Sequence, residues 1–193
     1  MDCKNQRERE ILEAAVKVFS KHGFHNSKMQ DIADEASIGK GTLYEYFKGK
    51  QHLFEEMVSF TIDRYIDGLE EVFDSQKDIE DILLKVAQYH GSFIKDHIDL
   101  AQSFINSDAS KPVDMKLKAQ KNRMRFLKLF NQYVDRAKEN NLIKKDADSE
   151  HVMMMVMGCL NQFYKNKIFL QEKDISELDP SPMIKMILNG IRP

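Results

Sequence analysis

Apolar positions recur at helical spacing along most of the chain, and no strand-like alternation of useful length interrupts them. The first amphipathic stretch, residues 5–22, gathers Ile11, Ala14, Ala15, Val18 and Phe19 on one face. Gly23 is a natural stop, since glycine enters the left-handed conformation without a Cβ penalty. Phe24 can then fold back on Phe19. Ser27-Lys-Met-Gln30 fits a capping box that opens a second helix, with Ile32, Ala33 and Ala36 turned inward. Ser37-Ile38-Gly39 makes a three-residue turn into a third helix. Gly39 serves as its N-cap, and Ile38 and Leu43 occupy the two positions of a hydrophobic staple. Gly49 breaks the chain before a long fourth helix, about residues 50–73, whose apolar positions include Leu53, Phe54, Met57, Val58, Ile62, Tyr65, Ile66, Leu69 and Phe73.

Further helices are expected at about residues 79–95, 98–107, 113–140, 149–171 and 182–190. Asp179-Pro180-Ser181-Pro182 is a loop and cap signal for the last. The fold class is therefore all-α. A small three-helix unit, residues 1–49, precedes a larger helical body, residues 50–193, and no flexible linker separates them.

Net charge sharpens this picture only locally. The whole chain carries −2, and its first 50 residues hold nine Lys/Arg against eight Asp/Glu. A nucleic-acid signal must lie in where the cations stand. Two short helices around a tight turn, with Lys40, Thr42, Tyr44 and Tyr46 on the second and Lys50 after it, have the layout of a helix-turn-helix. Only two cysteines are present, and the longest apolar run, residues 152–160, falls well short of the roughly 18 residues of a membrane span. With no signal peptide before the first helix, a cytoplasmic location with no membrane partner is the expectation. The six histidines show no metal-ligand spacing, and no catalytic or nucleotide-binding motif appears, so neither enzyme, metal nor cofactor is expected.

Residues 24–54 resemble the DNA-binding domain of the TetR family of bacterial transcriptional regulators. The matching residues are Asp31-Ile-Ala, Ala36, Lys40-Gly-Thr-Leu-Tyr-Glu-Tyr-Phe-Lys-Gly-Lys50 and Leu53-Phe54, with Ala14-Ala15, Phe19 and Gly23-Phe24 upstream. Two positions depart from the family pattern: Ser37 stands where glycine is usual, and Gly39 where serine is. The resemblance implies that Lys40 and Gly41 face base edges, Lys40 as a donor to guanine and Gly41 through close backbone approach. Thr42, Tyr44, Tyr46 and Lys50 would meet phosphates, with Ser27 and Lys28 as further phosphate contacts. Leu43 and Phe47 read as core.

The body is less legible. Residues 61–110 carry a net charge of −7 and residues 111–145 a net of +8. Complementary solvated helix faces explain this, and so does an anion-binding basic helix. His90 sits between Val86 and Phe93 on an apolar seam, and Arg123 accompanies Phe126 on the apolar side of its helix. A polar group on an apolar face needs a partner, which either the core or a bound ligand supplies. His90, Phe93, Arg123, Phe126 and the adaptable Met157 form the candidate effector set. The resemblance further implies a homodimer through the last two helices, double-stranded DNA with a palindromic operator as partner, and an effector pocket in the body. Apolar and Met-rich walls suit a small, largely hydrophobic effector, fatty-acyl compounds or drugs among them. The expected function is a ligand-responsive repressor. A helical protein–protein adaptor that keeps the head as a packing module is the alternative.

Overall fold

The computed structural model describes residues 3–74, 78–97 and 113–192. Its helices are α1 (Cys3–Asn26), α2 (Met29–Glu35), α3 (Lys40–Tyr46), α4 (Lys50–Asp74), α5 (Ile79–Asp96), α6 (Val113–Glu139), α7 (Ser149–Tyr164) and α8 (Ser181–Ile191). A π-helical turn, Lys165–Leu170, continues α7, and a short 3-10 turn, Ile175–Glu177, precedes α8. No strand occurs among the described residues. The helix expected at 98–107 lies outside them. The helix expected to run unbroken to residue 171 instead changes to the wider π form after Tyr164.

Two units are distinguished, Met1–Arg64 with His97–Gln120 and Tyr65–Asp96 with Lys121–Pro193. In the first, Ile11, Ala15 and Phe19 of α1, Ile32 and Ala33 of α2, Leu43 and Phe47 around α3, and Leu53 and Met57 of α4 close one hydrophobic core. Burying each large side chain of this set stabilises the unit by about 1.5–3 kcal/mol. Several local devices expected from the sequence are present. Gly23 takes φ 72° inside α1, and Phe24 returns to stack on Phe19 with ring centroids 5.8 Å apart. Gly39 caps α3 in an extended conformation, Leu43 is fully buried, and Ile38 packs on the same core. Ser37 sits at φ 54°, the left-handed position that glycine would occupy without strain.

The capping expectation for α2 is corrected. Lys28, not Ser27, is the N-cap, and its backbone N–H donates to Asp31 Oδ2 at 2.9 Å. Ser27 lies one residue earlier, and its hydroxyl turns inward.

In the second unit, α5 packs against both α7 and α8. Val86 and Ala87 of α5, Val156 and Leu160 of α7, and Ile184 and Leu188 of α8 are all buried. Gly91 is what lets α5 approach α7 closely, because a Cβ there would lie 2.4 Å from the Tyr164 ring. Phe73 stacks on Tyr133 of α6 at 4.4 Å.

Candidate nucleic-acid interface

The α2–α3 pair is held by its buried side and presents the other. Leu43 and Phe47, i and i+4, anchor α3 in the core. Lys40, Gly41 and Tyr44 are exposed, and Thr42 is half-buried. Tyr44, at 48% exposure, is among the most exposed large apolar side chains described. An exposed aromatic next to an exposed lysine on a short helix is an arrangement that phosphate and base edges can use. Tyr46 is different: it is half-buried and packs against the head core, with its ring 6.5 Å from that of Phe47. Lys28, at the N-cap of α2, is exposed.

Two residues expected at phosphates are committed elsewhere. Ser27 is 2% exposed, and its Oγ donates to the Gly23 carbonyl at 2.6 Å, with the Val18 carbonyl at 3.4 Å. Its hydroxyl closes the end of α1 and is turned away from solvent. Lys50 Nζ donates to the carbonyls of Phe24, His25 and Ser27 at 2.7, 3.1 and 3.0 Å. It also stands 4.6 Å from the centroid of the Phe24 ring. A lysine ammonium has three donors, and here each meets a carbonyl of its own chain.

The effector candidates fall in the second unit. His90 is buried, and both ring nitrogens are engaged: Nδ1 lies 2.7 Å from the Tyr65 hydroxyl and Nε2 3.1 Å from Asn161 Oδ1. The Asn161 oxygen only accepts, so Nε2 carries the proton and Nδ1 accepts from Tyr65. Burial pushes the His90 pKa down to about 4, against the opposing pull of the Asn161 hydrogen bond, and burial raises that of Tyr65. This is the satisfied core histidine that the sequence left as one of two readings. Phe93 is half-buried with its ring 4.5 Å from that of Tyr65, Phe126 is half-buried at 6.1 Å from Phe130, and Met157 is buried.

Arg123 is corrected. It is exposed, while Asn122 takes the buried position beside it. One residue along a helix is a rotation of about 100°, so Arg123 stands beside the apolar face of α6, which Asn122, Leu129, Phe130 and Tyr133 occupy. The opposite charges along the chain meet directly: Arg125 pairs with Asp67 and Glu70, and Arg136 with Asp74.

The model for bacterial regulatory proteins of the tetR family matches residues 11–57, a span that holds most of α1, all of α2 and α3, and the start of α4. Over this span the chain is similar to bacterial regulatory proteins of the tetR family. Relatives extend the likeness over the rest of the chain. The fatty acid metabolism regulator protein of Bacillus subtilis is 24% identical over 200 residues, covering 99% of this chain and 98% of its own. The crystal structure of the transcriptional regulator FadR from Bacillus subtilis in complex with stearoyl-CoA shares the fold, with TM-score 0.68, 20% identity, and 94% and 95% of the two chains covered. A tetR-family regulator from Mesorhizobium loti superposes with TM-score 0.77 at 20% identity over all of both chains.

Among the described residues, no helix is long and apolar enough to cross a membrane. Sequence reasoning missed two features of this chain. Lys17 of α1 reaches Glu35 at the end of α2 at 2.9 Å, tying the reading pair to the first helix. Tyr65, His90 and Asn161 form one hydrogen-bonded chain across α4, α5 and α7. Neither is visible at short sequence spacing. Only the solitary polar position of His90 on its apolar seam hinted at the second.

Proposed function

We propose that this regulator is a homodimeric repressor that leaves a palindromic operator when a long, largely hydrophobic effector binds. The reading head is residues 1–49, and effector binding and dimerisation belong to residues 50–193. The observation that carries the proposal is α3, a helix anchored through Leu43 and Phe47 whose Lys40, Gly41 and Tyr44 are left exposed. Lys40 and Gly41 read bases, while Lys28, Thr42, Tyr44 and Tyr46 position the head on phosphates.

A dimer through α7 and α8 is supported by Met154 and Met186, which are 51% and 75% exposed on those two helices. Two heads then read half-sites one helical turn apart on the duplex. The relative named for fatty acid metabolism, and the FadR structure in complex with stearoyl-CoA, favour an acyl thioester as effector. Phe93, Phe126 and Met157 are the side chains suited to an acyl chain.

Anisotropy of a fluorescent operator duplex held by the protein tests this. Stearoyl-CoA releases the duplex, and acetyl-CoA does not. By linkage, the duplex weakens acyl-CoA binding by the same factor, roughly 5–150-fold. Operator retention at saturating long-chain acyl-CoA overturns the effector assignment and leaves DNA binding standing.

A further inference from the structure

We propose that Lys50 is a positioning residue for operator binding and makes no phosphate contact: its ammonium clasps the end of α1 to the start of α4. The proposal rests on the DNA-binding reading above. The three acceptors belong to Phe24 and His25, which follow the non-helical break at Gly23, and to Ser27 in the connector to α2. A backbone carbonyl turned from solvent needs a donor, and the ammonium supplies one to each of the three. The stem is fixed as well. The ammonium lies over the Phe24 ring, which itself packs edge-on against Phe54 of α4 at 4.9 Å and stacks on Phe19 of α1.

Ser27 completes the closure from the other side, its hydroxyl bonding back to Gly23. The α1–α2 connector is thus held by a hydroxyl from within and an ammonium from α4. Lys28, the first residue of the reading pair, follows directly on this connector. The starts of α2 and α4 are therefore held at a set separation before DNA arrives. A phosphate that took Lys50 would have to displace at least one of these charge-assisted hydrogen bonds, since no fourth donor remains to offer.

Salt dependence separates a clasp from a phosphate contact. Each phosphate neutralised contributes about 0.9 to the slope of log K against log salt. Lys50→Met keeps the stem and removes the charge. It should weaken operator binding roughly tenfold through lost preorganisation, with the salt slope unchanged. Lys28→Ala, in the same assay, should lower the slope by about 0.9.

Lys50→Arg sharpens the contrast. A planar guanidinium serves a phosphate at least as well as an ammonium does, but cannot match three converging carbonyls. It should not restore affinity. A slope lowered by about 0.9 in Lys50→Met, with recovery in Lys50→Arg, overturns the clasp. Absence of operator binding by the wild-type protein would instead overturn the DNA reading itself.

Should Lys50→Met fail to fold, the ammonium NMR signal of wild-type Lys50 decides. The clasp requires slow proton exchange in the protein alone and no shift on adding duplex. Protection that first arises with the duplex contradicts it.

Discussion

Among single residues, the head separates the side chains that hold the fold from the surface proposed to meet DNA. Gly41 shows this most cleanly. A Cβ added there meets nothing within 4 Å, and the residue stands in the first turn of α3. Gly41→Ala should therefore stabilise the protein in urea denaturation, by up to about 1 kcal/mol, through the unfolded chain. On the proposed reading surface the same methyl stands where the backbone would approach bases, so operator affinity should fall. Unchanged affinity in this variant would place the reading surface elsewhere. Ser37 carries the opposite economy: a non-glycine at φ 54° is strained by about 1 kcal/mol, and the neighbouring staple of Ile38 and Leu43 outweighs it.

At the scale of elements, helix-to-helix contacts depend on polar and small residues placed among apolar ones. His90 joins α4, α5 and α7 in its neutral form, with its pKa pushed down to about 4 from the usual 6.5. The unfolded chain therefore binds more protons than the folded one between those values, and stability rises with pH across that window. As pH falls from 6.5 towards 4, the loss reaches on the order of 3 kcal/mol, and His90→Gln should remove this part of the slope in denaturant titrations. Gly91→Ala drives a methyl against the Tyr164 ring and should cost about 1–3 kcal/mol in the same titrations, with little change in the head.

Elements also show why some of the site was legible and some was not. The Gly23 stop, the Gly39 cap and the Phe24 return onto Phe19 are settled by residues within five positions of each other, so the sequence displays them. The sequence pattern points Lys50 and Ser27 towards phosphates, whereas both hydrogen-bond to backbone carbonyls, which no side-chain pattern advertises. For Lys50 these lie 23 to 26 residues away. Arg123 failed for another reason. Cations surround α6 so evenly that its apolar phase is weakly marked, and a one-residue error exchanges Arg123 for the buried Asn122.

For the whole molecule, the proposed repressor presents two heads together. Met186 lies 75% exposed on α8, a helix otherwise buried through Ile184, Ile187, Leu188 and Ile191. Met186→Glu should convert dimers to monomers in sedimentation equilibrium, because it places unpaired charge in an apolar interface. Operator binding should then weaken and lose its dependence on the second half-site. A variant that stays dimeric would remove α8 from the interface. Selecting bound duplexes from a randomised pool, with the wild-type protein and with Lys40→Ala, decides whether α3 reads DNA. Wild-type protein should enrich an inverted repeat, bound more weakly as salt rises, and Lys40→Ala should lose preference at the base pairs that Lys40 contacts. Recovery of a pool without any enriched sequence would contradict a reading role for α3.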